Sequence, residues 1–495
     1  MVWVLVSACL VASVPAGLRW LRVAQREHYL APSTSRFAWR WWIASVGNQA
    51  LFGASLVGLV GAIQNDGVGI LVPLAQIGPI GLPVRGTTSP LAWTGRLKRV
   101  AGLAGVLFLV LTTVGGLIDS QALAVAPLLF LPLIIDASLV LLAPIEKTLG
   151  SSWVEKASKK LDASGAEVVA ITGSYGKTTT KAYVAHLLAG SRRTVASPAS
   201  FNNRMGLARA INEGLAPGTE VFVAEMGTYG PGEIAELCEW IPPKVAAMVA
   251  IGPVHLERFR TEERIVSAKA EILELAEIGV ICVDHPLLAE LSSQRAATME
   301  IIEVSTGTTG RVRVGEEIVV DDRVLRATPN GVFRTNLAVA LGISLALGVE
   351  VGDVIARLAD LPVAEHRQSV TRSERGVSII DDTFNSNPAG ARRALGVLSD
   401  VGAGGKTAVV SPGMVELGPR QREENRDFAE EASQVADHLI IVGRTNRFAL
   451  REGSVRGTAS VTVVDSRGEA VDWVREHLGQ GDAVLYENDL PDHYP

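Results

Sequence analysis

The sequence predicts an α-helical transmembrane region at the N-terminus, followed by α/β protein with mostly parallel sheets in two domains. Long uncharged apolar runs are confined to residues 1–145, and charged residues become dense only beyond them. After that point β-branched runs alternate with helical patterns, the signature of a parallel sheet. A chain of 495 residues also has the length of two or three domains. The expected units are 1–145, a helical anchor; 146–363, a central domain; and 364–495, a C-terminal domain. With 46 basic against 52 acidic residues, net charge −6, no global basic field holds nucleic acid, and no such partner is expected. Cys9, Cys238 and Cys282 have neither zinc nor redox spacing, and no disulfide framework is expected.

The apolar stretches of the anchor are 2–18, 43–63, 68–84, 101–118 and 122–142. Four of them approach the ~17–25 residues that cross a bilayer as a helix. The third contains Pro73, Pro79 and Pro83, which suit a kinked span or a re-entrant segment. Arg19, Arg22, Arg26, Arg36 and Arg40 follow the first stretch, and Arg85, Arg96, Lys98 and Arg99 follow the third. The other two connections have no cation. This alternation predicts five spans, with the N-terminus outside and everything after Glu146 on the cytoplasmic side. A cleaved signal peptide fits the first stretch poorly, because no basic residues precede it and five arginines follow. Asp136, within the last stretch, is either functional or an acid used in helix packing.

Strand-like runs in the remainder begin with 167–172 and continue at 221–224, 245–251, 280–283, 378–380, 407–410, 439–442, 461–464 and 483–486. Helical patterns separate most of them. Residues 307–330 read as short antiparallel strands with turns, 338–348 as a helix, and 362–366 as the boundary between the two domains.

The strongest single signal is ITGSYGKTTT, residues 171–180. It follows a buried strand and opens a helix. Gly173 and Gly176 let the backbone close around phosphates, with Ser174 and Tyr175 completing the loop and its N–H groups aimed inward. Lys177 reaches β- and γ-phosphates, Thr178 offers a hydroxyl to Mg2+, and Thr179 continues the helix whose positive end faces the anion. The first glycine of the general phosphate-loop pattern is replaced by Ile171, which makes this a shorter variant. ATP and Mg2+ are the expected cofactors, held by a P-loop-type central ATPase domain ahead of a Rossmann-like C-terminal domain.

This loop resembles that of the Mur ligases, the ATP-dependent amide ligases of peptidoglycan precursor synthesis. Further blocks resemble the branch that adds D-alanyl-D-alanine: SFNNRMG (200–206), VAEMG (223–227), GPVHLE (252–257), SAKAEI (267–272), DDTFNSNP (381–388) and GMVELG (413–418). They keep family order from about residue 165 to 420. The resemblance implies ATP-dependent activation of an acceptor carboxylate as an acyl phosphate, attacked by the amine of an amino acid or dipeptide. It implies Lys177, His255 and Lys269 in the catalytic set, and Thr178, Glu225, His255 and Lys269 at metals, with Lys269 as a carbamate. It also implies Asn336 at adenine, Arg367 at the phosphates and Asp382 facing ribose and metal. From the residues alone, Asn336 also reads as a helix N-terminal cap, His255 as a structural histidine, and Lys269 as a solvated helix position. Asn385 and Asn387 read as loop-setting residues.

Three departures limit the resemblance. The family's UDP-sugar-binding domain is missing, and apolar stretches take its place. Gln421 follows the ELG block where close relatives commonly have histidine. The C-terminal end reads YENDLPDH (486–493) where the D-alanyl-D-alanine branch has lysine–glycine–serine near the incoming amine. The acids Glu487, Asp489 and Asp492 there either bear on the amine or form a solvated terminus. The acceptor is expected to be an envelope precursor, lipid-linked or UDP-linked, with the membrane as a further partner. A non-catalytic membrane scaffold that retains the ligase fold is the alternative, and the joint presence of Lys177, Thr178, Glu225, His255 and Lys269 opposes it.

Overall fold

The structure is a computed structural model describing residues 1–64, 67–86, 90–198, 201–362, 369–383, 386–491 and 493–495. Arg367, Asn385, Asp492 and most of the expected 362–366 boundary lie outside the described residues.

The N-terminal region is helical: α1 (Val2–Arg26), α2 (Ser33–Ile43), α3 (Val46–Gln64), α4 (Leu71–Ala75), α5 (Gly95–Leu117), α6 (Gln121–Leu129) and α7 (Leu131–Ser164). Among the described residues, α1, α3 and α5 are long and apolar enough to cross a bilayer, and α6 with α7 forms a pair bent by 69° that would make a fourth. The third apolar stretch differs from a spanning helix. It is helical only to Ala75, and then runs on without regular structure past Pro79 and Pro83. It still travels antiparallel to α3. At Gly69 a β-carbon would come within 3.1 Å of Ala62, and at Gly58 within 3.1 Å of the Val72 nitrogen. Gln76 Nε2 then donates to Ser55 Oγ (3.0 Å), and the Ile80 N–H to Asn48 Oδ1 (2.7 Å). From Ala62 back to Asn48 is about 21 Å along a helix axis. The proline-rich stretch therefore covers that depth as a short helix plus extended chain, with both backbone groups of Ile80 bonded by the Asn48 side chain.

Asp136 has a packing role. Its carboxylate accepts the N–H groups of Thr34 (3.1 Å) and Ser35 (2.8 Å). These are orphan donors at the start of α2, which has no capping side chain of its own. An anion at that position also meets the helix dipole favourably.

No break occurs at residues 145–146. α7 continues for 34 residues, about 50 Å, and buries Val154, Ala157 and Leu161 in the core of the central domain. The helical region and that domain thus share one rigid element.

The central sheet comprises β1 (Glu167–Thr172), β2 (Thr194–Ala196), β3 (Val221–Glu225), β4 (Val245–Met248), β5 (Ile278–Cys282), β6 (Glu300–Ser305), β7 (Val312–Val314), β8 (Glu317–Val320) and β9 (Arg323–Ala327). Its order is β2-β3-β1-β4-β5-β6-β7-β8-β9, parallel except for β7-β8-β9. The short antiparallel strands expected near 307–330 are β7 to β9. α7 packs on one face, and α8 (Lys177–Leu188) with the helix Arg334–Ala346 on the other.

The C-terminal sheet comprises β10 (Ser369–Arg372), β11 (Ser378–Asp382), β12 (Thr407–Ser411), β13 (His438–Val442), β14 (Ser460–Val464) and β15 (Ala483–Glu487), in the order β10-β11-β15-β12-β13-β14 with only β10 antiparallel. β2, β6 and β10 escaped the sequence reading: two are only three or four residues long, and β6 carries two glutamates.

Asp136→Ala should destabilise the helical region by about 1–3 kcal/mol through loss of two charge-assisted hydrogen bonds, and Asp136→Asn by less. Thermal unfolding in detergent checks this; equal melting of all three proteins would remove the capping role.

Candidate active site

In the central sheet the chain leaves β1 for β2 and β3 on one side and returns to β4 on the other. That reversal opens a crevice at the carboxyl end of β1, where open α/β sheets bind ligands. The loop 173–176 occupies it. Gly176 has φ 79°, and a β-carbon there would lie 2.5 Å from Asn336 Nδ2, so both conformation and space require glycine. Asn336 braces this loop: its Nδ2 donates to Gly176 O (2.7 Å) and Thr180 Oγ1 (3.1 Å). It does not cap its helix, whose cap position is Phe333. Tyr175 is buried against Gly252, and the Ser174 hydroxyl donates to Gly252 O at 3.2 Å. Lys177 Nζ donates to Gly173 O at 2.8 Å. Thr179 is buried on α8.

Strand register brings Glu225 beside Ile171 at the mouth of the crevice. Its carboxylate accepts the Thr178 hydroxyl and the Lys181 ammonium, each at 3.0 Å, and the Asn202 amide at 3.2 Å. Burial pushes the Glu225 pKa up, but Lys181 and Lys177 outweigh it and hold the carboxylate below its ordinary value. Lys181 was not anticipated. Its one local signal is position: four residues after Lys177, it shares that residue's helix face.

Lys269 is 2% exposed. Burial first, and Lys177 second, hold its pKa well below the ordinary lysine value. A solvated helix position is thereby overturned, and burial works against the charged amine. His255, at φ 62°, turns its Nδ1 to the Glu416 carboxylate, and Tyr229 meets its ring edge-on at 5.5 Å. Burial would raise the Glu416 pKa, yet His255, Arg258 and His28 bring it down to about 2.

Among the described residues no three His, Cys, Asp or Glu side chains gather as a metal cage. The donors nevertheless fit the implied Mg2+. Thr178 and Glu225 are hard oxygens side by side at the phosphate loop. A carboxylate on one nitrogen of His255 orients the ring for ligation by the other.

Asp382 is buried at the end of β11, in register with Glu487 of β15. Glu487 is only 1% exposed; burial and Asp382 push its pKa well above the carboxylate range, and the Ser386 hydroxyl donates to it. A solvated terminus is therefore wrong for Glu487, and Asp489 is paired with Arg467. Asn387 caps the helix Pro388–Val401 through Gly390 N–H (2.9 Å), the loop-setting role expected of it.

A cavity of about 560 Å3 unites the loop 174–178, Asn202 and Glu225 with Ser386 and Asn387 of the C-terminal domain. His28 of the helical region also lines it. Its Nε2 lies 3.1 Å from the Tyr229 hydroxyl, with the two rings stacked at 5.0 Å. Neighbouring Glu27 pairs with Arg258 (3.4 Å) and His493 (3.1 Å), and Arg258 approaches Glu416 at 3.7 Å. Arg36 and Arg40 both reach Glu257. Sequence reasoning missed His28, Tyr229, Arg258 and the Glu416 contact, because nothing local marks side chains that meet across hundreds of residues.

Comparison with known proteins agrees with this geometry. The Mur ligase middle domain matches residues 171–331, and the Mur ligase glutamate ligase domain matches 366–486. The UDP-N-acetylmuramoyl-tripeptide–D-alanyl-D-alanine ligase of Mycobacterium leprae is 31% identical over 374 residues, 66% of this chain and 71% of its own. That of Bacillus subtilis is 26% identical, over 65% and 73% respectively. Among solved structures, the MurF ligase of Thermotoga maritima in complex with ADP superposes with a TM-score of 0.59 at 28% identity, covering 68% of this chain and 80% of that one.

Because the folded Glu416 pKa lies below its unfolded value, the contact stabilises fully above about pH 4.3 and is lost as pH falls toward about 2. Glu416→Gln should therefore melt lower than the parent near pH 7, with the gap narrowing below about pH 4.3. A gap that stays constant between neutral and acid melts would sink this account.

Proposed function

The chain belongs to the Mur ligase family, and from that membership we propose a membrane-anchored, ATP- and Mg2+-dependent ligase that joins an acceptor carboxylate to an amine in envelope-precursor metabolism. The observation that carries this reading is the convergence of Lys177, Thr178, Glu225 and Lys269 on one crevice whose far wall is the C-terminal domain.

Amide formation from a carboxylate needs a better leaving group than oxide. Transfer of the γ-phosphoryl of ATP to the acceptor carboxylate makes an acyl phosphate; the amine attacks its carbonyl carbon and inorganic phosphate departs. The protein positions several anionic oxygens and offsets their repulsion. The loop N–H groups and Lys177 hold the phosphates. Thr178 and Glu225 would hold one Mg2+, and His255 with carbamylated Lys269 a second; the bound ions neutralise phosphate oxygens. Lys181 keeps Glu225 ionised, and Asn336 holds the loop's shape, with its Oδ1 left for adenine. Arg367 and Asp382 complete the nucleotide contacts in this reading. Ser386 and Asn387 close the cavity and exclude water from the acyl phosphate.

Several observations support membrane anchoring. α1, α3 and α5 have the length and apolarity of spans. The two arginine-rich connections meet at the end that faces the ligase domains: Gln25 Nε2 donates to Ala92 O (2.7 Å), and the Tyr29 and Thr94 hydroxyls lie 3.1 Å apart. Cytoplasmic catalytic domains satisfy that charge distribution. An acceptor held by the bilayer, such as a polyprenyl-linked muropeptide, then gains proximity without a UDP-binding domain. The departure of YENDLPDH (486–493) from the lysine–glycine–serine of the D-alanyl-D-alanine branch argues against reuse of the same amine.

Purified protein in detergent should release phosphate only when ATP, Mg2+, an acceptor and an amine are all present, with a matching mass gain in the acceptor. Lys177→Ala should lower this at least about a hundredfold. ATP binding with no acceptor-dependent turnover would favour the scaffold. With 13C-bicarbonate, the parent should show a protein-bound carbamate resonance that Lys269→Ala lacks; a signal in both proteins would place the carbamate elsewhere.

A further inference from the structure

We infer that His28 is an acceptor-binding residue, through which the helical region forms one wall of the ligase's acceptor subsite. The inference rests on the ligase reading above and deepens it.

The first argument is position. The phosphate loop 174–178 lines part of the cavity. Phe201, Met205, Arg209, Tyr229, Val254 and His28 line it as well. Aromatic and apolar surface with one guanidinium suits a carboxylate-ended peptide on a sugar carrier, with its reacting end toward Lys177. His28 alone in this set comes from the helical region, which precedes the central domain in the chain where the family's UDP-sugar-binding domain is expected.

The second argument is the backbone. α1 ends in a turn in which the Tyr29 N–H donates to Ala24 O (2.8 Å) and the His28 N–H to Gln25 O (3.3 Å). His28 and Tyr29 both have left-handed φ, 57° and 59°. The first of these positions is one that helices usually fill with glycine, because a β-carbon is strained there. A histidine held in that conformation aims its ring out of the bundle into the cavity, and strain of this kind concentrates at ligand sites.

The third argument is bracing. Tyr229 stacks on the imidazole and bonds its Nε2. Arg258 lies over the other ring of that pair, 4.6 Å from the Tyr229 centroid, and is itself paired with Glu27, the residue before His28. Both sides of the contact are thereby fixed by one ion pair that spans the helical region and the central domain. Such preorganisation is what a binding residue requires.

The test uses the full chain in lipid nanodiscs with ADP and Mg2+. The probes are undecaprenyl-diphospho-muramoyl-tripeptide and UDP-muramoyl-tripeptide. His28→Gly relieves the backbone strain, so its melting temperature should equal or exceed the parent's. It should nevertheless weaken binding of the preferred probe about tenfold and raise the acceptor KM with the ATP KM unchanged. His28→Asn tolerates left-handed φ and keeps a partner for Tyr229, and should recover part of that loss. Tyr229→Phe, which loses only the hydroxyl, should show a smaller loss of the same kind. Preference for the lipid-linked probe would identify the bilayer as carrier, and preference for the UDP-linked probe a soluble one. Equal affinity in parent and His28→Gly, or binding of neither probe by the parent, would overturn the inference. Turnover that His28→Gly leaves intact would reject this subsite and keep the ligase. Probe binding that depends on His28 without turnover would reject the ligase and keep the subsite.

Discussion

The chain of polar contacts from His493 through Glu27, Arg258 and Glu416 to His255 holds three regions of the protein in one arrangement. Each link joins a different part: the C-terminal tail, the end of α1, the central domain, and the loop after β12. Pairs this buried gain little net energy from Coulomb attraction alone, because desolvation opposes it, but they penalise every arrangement that leaves one charge unpartnered. Their effect is registry. They set the depth at which α1 meets the crevice, and they orient the imidazole of His255.

α7 imposes the second constraint. Because it is part of the helical bundle at one end and of the central core at the other, the bundle has no hinge against the phosphate loop. The C-terminal domain meets the helical region through contacts such as Trp41 Nε1 to His493 O (2.8 Å). Ser386 and Asn387 of the C-terminal domain reach the cavity from across the cleft.

Inside the crevice, like charges are managed by burial and pairing. Lys177, Lys181 and Lys269 stand close together, and the protein separates their roles. Lys181 is paired with Glu225, burial pushes the Lys269 pKa down, and Lys177 donates to Gly173 O. Asp382 and Glu487 repeat the logic with the opposite sign at the end of the second sheet. Burial and the neighbouring carboxylate push the Glu487 pKa well up there.

Much of this was legible in the sequence, and for a local reason. The β-branched runs, the glycine loop and the blocks around Glu225, His255 and Lys269 are contiguous, so their chemistry survives being read in order. Alternation of strand and helix fixes the class of sheet because each element buries its own face. Other features depended on partners distant in the chain. Asp136 looked like a costly intramembrane acid until α2 was seen to begin against it. The proline-rich third stretch read as a kinked span or a re-entrant segment, and it runs beside α3 largely without helix, with the Asn48 side chain bonding the backbone of Ile80. Glu487 read either as a solvated terminal acid or as a group near the amine, and strand pairing buries it beside Asp382. Sequence by itself determined the ligase chemistry and its order along the chain, since a motif carries its own geometry. Only the tertiary structure decided that His28 stands in the site, because a contact across two hundred residues is set by packing and leaves no periodic or spacing signal behind.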